Sequence, residues 1–133
     1  MEAVRRRWRF LCWLRRRRHD ARGGMKPDEV RYVWLFVFFD LPVGTKAERR
    51  AATRFRGFLK DDGFMMLQYS VYARVCRGDD GAVKHVARVT ANLPSKGSVR
   101  ALQVTERQYG RMRLLLGTRT STEAVAGQQM VLL

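Results

Sequence analysis

Few side chains in this sequence are arranged to do chemistry, and Asp40 stands first among them. It follows an apolar run, Tyr32 to Phe39, and precedes Leu41-Pro42. A carboxylate at the end of a strand is held by the sheet while its oxygens face outward, as a metal ligand or a base requires. Asp is equally at home opening the turn before a proline, so the residues alone support both accounts. Asp61-Asp62 read as a solvated turn, with a metal role as the lesser alternative. Ser70 and Tyr72 lie near a strand bend; a satisfied hydroxyl and a core aromatic account for them better than phosphate contact does.

Other chemistries are excluded by composition. Cys12 and Cys76 are the only cysteines and His19 and His85 the only histidines. With no paired spacing among them, the chain cannot build a four-ligand structural zinc site alone. His85, between Lys84 and Val86, reads as a partly exposed helix histidine rather than a catalytic one. Neither a Ser-His-Asp nor a Cys-His arrangement is present, and no glycine loop is built to cradle phosphate.

The charge is the strongest bulk signal. Among 133 residues, 27 Lys and Arg face 12 Asp and Glu, a net +15. Such a surface repels itself unless a polyanion screens it, which points to nucleic acid. Hydrophobic content of 46% with seven Phe, four Tyr and three Trp argues for a folded core, and the length for one domain. No stretch approaches the ~20 apolar residues of a transmembrane span, so no membrane partner is expected. Unpaired cysteines and the lack of an export signal fit the cytoplasm.

Residues 1–24 form an Arg-rich extension, with nine arginines against Glu2 and Asp20. That is +7 of the total, so the remainder still carries +8. A nucleic-acid-binding arm, an amphipathic surface-binding piece and an upstream start-codon artefact ahead of Met25 all fit this segment. The folded domain is expected over 25–117, followed by a mobile tail over 118–133.

The elements that must position Asp40 follow from periodicity. Tyr32–Phe39 is a buried strand by length and by its aromatic and β-branched content. Thr45-Lys46-Ala47-Glu48 has the spacing of a capping box and opens a helix. Ala51, Phe55, Phe58 and Leu59 form that helix's core stripe, and Gly63 stops it. Lys46, Arg49, Arg56 and Lys60 fall on the opposite face of the helix. With Arg74 on the following strand, they are the candidate phosphate contacts. Phe64–Val75 reads as one bent strand, or two split near Gln68-Tyr69-Ser70. Gly78-Asp79-Asp80-Gly81 is a turn with Asp79 or Asp80 as N-cap of a second helix. Ala82, Val86, Val89 and Leu93 share that helix's inner face, and Pro94 closes it. Val99–Thr105 is a strand, and Met112–Leu116 an extra terminal one. The order is a split βαβ, an α+β ferredoxin-like fold with two helices on one sheet face.

Several of these strings together carry a resemblance. They are Phe38-Phe39-Asp40-Leu41-Pro42, the Thr-capped basic helix with Arg54-Phe55 and Phe58-Leu59, Gly63-Phe64, and Gln68-Tyr69-Ser70-Val71-Tyr72. Leu93-Pro94 with Lys96-Gly97, and Thr105 to Gly110, complete the set. From about Val33 to Gly117 the chain closely resembles CRISPR-associated protein two, the small core adaptation protein, in its type II form. The resemblance implies a two-fold homodimer in which Asp40 faces its counterpart, and magnesium-dependent nuclease activity on RNA or duplex DNA. It also implies a dimer seated between integrase dimers, helping to hold a prespacer duplex. Two such carboxylates suit one Mg²⁺ (or Mn²⁺), with waters and phosphate oxygens filling the shell.

Two functions of different class follow. In the first, a scaffold binds duplex DNA by its phosphates and bridges a CRISPR integrase subunit. In the second, a weak Mg²⁺-dependent endonuclease uses Asp40 as its catalytic and metal-binding residue, with single-stranded RNA among its possible substrates. The scaffold is the favoured reading, because no second acid or general base accompanies Asp40. A stand-alone toxin-type ribonuclease on the same fold is the alternative.

Overall fold

The computed structural model describes residues 31–119; the Arg-rich segment 1–24 and the tail beyond residue 119 lie outside them. The elements are β1 (Tyr32–Asp40), α1 (Lys46–Asp61), β2 (Met65–Gln68), β3 (Val71–Arg77), α2 (Gly78–Ala91), β4 (Ser98–Thr105) and a short α3 (Glu106–Gly110). The four strands form one sheet in the order β2-β3-β1-β4, with antiparallel neighbours throughout. This is the expected ferredoxin-like α+β arrangement.

β1 is central because it is apolar on both faces. Its odd-numbered residues Val33, Leu35, Val37 and Phe39 join Phe55, Leu59, Phe64, Tyr72, Cys76, Ala82 and Val89 in the core beneath the helices. Its even-numbered residues Trp34 and Phe36 pack with Ala73 on the opposite face, with Phe38, Leu67, Val71 and Val104 around them. The two-residue alternation of a strand produces this division.

α1 begins as its sequence requires. The Thr45 Oγ1 accepts from the Glu48 amide at 3.1 Å and the Glu48 carboxylate accepts from the Thr45 amide at 3.0 Å. Its buried positions are Ala52, Phe55 and Leu59, so the inner stripe is rotated slightly from the expected one and Ala51 is only half-buried. Gly63 ends it at φ +87°, with the Phe64 amide reaching Leu59 O at 2.9 Å and the Gly63 amide reaching Lys60 O at 3.1 Å. This left-handed termination needs glycine at that position.

Four expectations are corrected. Neither Asp79 nor Asp80 caps α2: Gly78, at φ +72°, turns the chain directly out of β3, so Arg77 occupies the cap without a side-chain bond. The two acids sit in the first turn instead, where negative charge offsets the exposed amides. Leu93 lies past the end of α2 and is exposed, outside the inner face. Met112–Leu116 forms no strand among the described residues. A second capping box, Thr105 with Gln108, starts α3 immediately after β4, and Tyr109 stacks on Trp34 at 3.8 Å. Asp62, finally, is not part of a solvated turn. It is 4% exposed, its carboxylate 2.9 Å from His85 Nδ1 and 2.7 Å from an Arg88 nitrogen, while Arg74 donates to its backbone carbonyl.

A buried carboxylate stripped of its partners is costly, and the converse holds for cations left facing an empty site. Asp62→Ala is therefore expected to lower the unfolding free energy by about 2–3 kcal/mol in urea titration at neutral pH. A change below about 0.5 kcal/mol would show that the cluster is solvated. Cys76 is 2% exposed, and burial pushes its thiol up from 9.0 to about 11 against the lowering effect of Arg74. The folded state thus disfavours the thiolate, so stability is full below about pH 9 and declines as pH rises toward 11. In a Cys12→Ser background, iodoacetamide should label Cys76 at pH 8.5 only after denaturant is added; rapid labelling of the native chain would contradict this burial.

Candidate nucleic-acid interface

β1 delivers Asp40 to the rim of the sheet. The residue is exposed and pairs with Ser98 across the β1–β4 ladder. By alternation it belongs to the sheet face opposite α1 and α2, with Trp34, Phe36 and Phe38. The neighbouring turn is tied in from the other edge, where the Phe39 amide donates to Ser70 O at 3.1 Å. Gly97 packs against the strand end from the β4 side at φ +105°, so closely that an added Cβ would lie 2.7 Å from Asp40 O and 2.8 Å from Leu41 Cδ2. Asp40 is thus an exposed side chain on a braced backbone. Among the described residues no three His, Cys, Asp or Glu side chains gather.

The outer face of α1 carries the basic surface. Lys46, Arg49, Arg50 and Arg54, with Thr53, line a shallow groove along the helix. Arg49 Nη1 donates to Val43 O and Gly44 O, both at 3.2 Å, which anchors its guanidinium over the β1–α1 loop. Arg50 and Arg54 escaped the sequence reading, although helical spacing from Lys46 puts them on this face. Lys60 lies exposed in the last turn. Arg56 sits on the flank of α1, its guanidinium 4.6 Å from the Tyr69 ring centre and 5.7 Å from that of Phe39. Arg74 is turned inward: it pairs in register with Leu35, lies against Gly63, and bonds Asp62 O, with His85 Nδ1 3.3 Å away. The structure therefore brings Lys46 and Arg49 together and leaves Arg56, Lys60 and Arg74 apart from them.

Comparison with known proteins settles the relationship. The family model for CRISPR associated protein Cas2 matches residues 33–112. The chain belongs to the Cas2 family. A CRISPR-associated endoribonuclease Cas2 of Acidovorax ebreus is 59% identical over 83 residues, covering 62% of this chain and 81% of that protein. Proteins of the same description from Flavobacterium psychrophilum and Parvibaculum lavamentivorans are 39% and 40% identical over 105 and 100 residues. Those two matches cover 79% and 75% of this chain and 91% and 99% of the relatives. The Cas2 match spans β1 to α3, so Asp40, the α1 groove and the Tyr69 turn all lie within the shared region. No helix among the described residues is long and apolar enough to cross a membrane.

The close approach at Gly97 gives a test of how Asp40 is held. Gly97→Ala forces an L side chain into a left-handed backbone and against Asp40 O, and is expected to destabilise the fold by about 1–3 kcal/mol. Thermal melting beside wild type checks this; an unchanged midpoint would show that the loop does not brace the strand end.

Proposed function

We propose that this Cas2 chain is a nucleic-acid-organising subunit of CRISPR adaptation, gripping duplex DNA by its phosphates along α1. The observation that carries this reading is the groove of Lys46, Arg49, Arg50 and Arg54, whose four cations share one exposed helix face. Contacts of this kind are independent of sequence and weaken steeply with salt. The chain works as a homodimer beside an integrase subunit. Support for self-association comes from the sheet face opposite α1 and α2, where Phe38, Leu67, Val71 and Val104 stay only partly buried beside the Trp34–Tyr109 stack. Asp40 stands at the rim of that same face, so joining two copies across it brings two carboxylates toward one another.

Metal-dependent cleavage of a phosphodiester is the second reading, favoured by the endoribonuclease description of the relatives. The donor set suits a hard cation, because Asp40 offers exposed carboxylate oxygens on a rigid backbone. One copy supplies one such ligand, and a pair supplies two. Mg²⁺ or Mn²⁺ held there would contribute charge neutralisation at the phosphate and a more acidic water. Asp40 would orient it, and the basic helix would hold the RNA or DNA strand in reach.

Filter binding of a blunt DNA duplex at rising salt tests the first reading. Affinity should fall linearly on a log-log plot, and the double variant Arg50→Gln/Arg54→Gln should reduce the slope by about 2. An affinity indifferent to salt, or an unchanged slope in the variant, would remove α1 as the phosphate-binding face. For the second reading, Asp40→Ala should abolish Mg²⁺-dependent cleavage of single-stranded RNA while leaving sedimentation as a dimer intact. Full cleavage by a dimeric variant would exclude Asp40 from the chemistry.

A further inference from the structure

Tyr69 is 75% exposed, large for an aromatic side chain, and it occupies the first position of the two-residue turn between β2 and β3. The turn is strained: Ser70, which follows it, has φ +66° without being glycine. Its position is nevertheless fixed, because Ser70 O accepts from the Phe39 amide at 3.1 Å. One side of the Tyr69 ring is backed by the Arg56 guanidinium at 4.6 Å. That cation is uncompensated among the described residues: no acid pairs with it, and its Nε is buried without a hydrogen-bond partner. Phe39, 5.7 Å from the guanidinium, supports it from the core side. The result is a flat ring held largely in solvent on a cationic base.

We propose that Tyr69 and Arg56 form a subsite for one unpaired nucleotide, the base stacking on the open face of the tyrosine and an adjoining phosphate meeting the guanidinium. Every nucleobase has a face that can stack on an aromatic ring, so such a site accepts single-stranded DNA or RNA with little regard to sequence. Arg56 serves it twice, as a cation under the ring and as a fixed positive charge beside it. The subsite rests on the nucleic-acid reading above and extends it, because the groove on α1 is suited to phosphates and has no aromatic platform. It lies on the flank of the same helix, and its turn is hydrogen-bonded to the residue before Asp40. A strand bound at Tyr69 is therefore anchored next to the sheet rim.

The test uses the full chain in EDTA, with a single-stranded oligodeoxynucleotide containing 2-aminopurine. Binding to wild type should quench the fluorophore by stacking. Tyr69→Ala should lose the quench and bind about fivefold to a hundredfold more weakly, whereas Tyr69→Phe should keep both. Arg56→Gln should lower the salt slope on the single strand by about 0.7. Both Tyr69 variants should bind a blunt duplex as wild type does and melt at its temperature, since Tyr69 is exposed. Wild-type quenching and affinity in Tyr69→Ala would overturn the subsite, as would an equal loss on the blunt duplex. If the blunt duplex fails to bind wild type while the single strand still quenches, the α1 reading fails and the subsite stands.

Discussion

β1 is covered on both faces and paired along both edges, and every other feature of the domain is arranged around that constraint. Nothing polar can sit between Val33 and Val37, each of which is less than a tenth exposed. The first charged side chain the strand can present is the one at its end, Asp40. The same burial sends Arg74, on the neighbouring strand, toward the helices and into the Asp62 cluster. It leaves the sheet face opposite α1 and α2 apolar, with the acid at its rim.

Charge is distributed with a similar logic. The cations of α1 face outward because Ala52, Phe55 and Leu59 claim the inner face, and their density is tolerable only where a polyanion relieves it. The inward charges behave differently. Asp62, His85, Arg88 and Arg74 pair with one another where α1, β3 and α2 meet, at the end of α1. Two basic populations of similar composition are thus separated by which way their elements turn them.

Much of this was legible in the residues themselves. The length and character of Tyr32–Phe39, the Thr45 capping box and Gly63 give β1 and α1 with their ends, because each signal is local. Asp62 was illegible for the opposite reason: its partners His85 and Arg88 come from a helix more than twenty residues later, and an Asp-Asp-Gly string alone looks like a turn. Arg74 requires the register that pairs it with Leu35. Arg50 and Arg54 were legible from helical spacing but were passed over for Arg56, which the helix carries to its flank. α3 is too short for any period, and only the Thr105–Gln108 pair announces it. The Tyr69 platform depends on a cation that arrives from α1, and so appears only in three dimensions.

The central claim is that this chain serves adaptation by holding DNA on the basic face of α1, with any chemistry at Asp40 secondary. The most direct measurement is acquisition of new spacers into a repeat array, with the integrase present, for wild type, Asp40→Ala and Arg50→Glu/Arg54→Glu, each first verified as folded. The account predicts that acquisition persists in Asp40→Ala and collapses in the arginine variant. Acquisition lost with Asp40→Ala but retained by Arg50→Glu/Arg54→Glu would contradict it, placing the carboxylate and not the helix at the centre of the function.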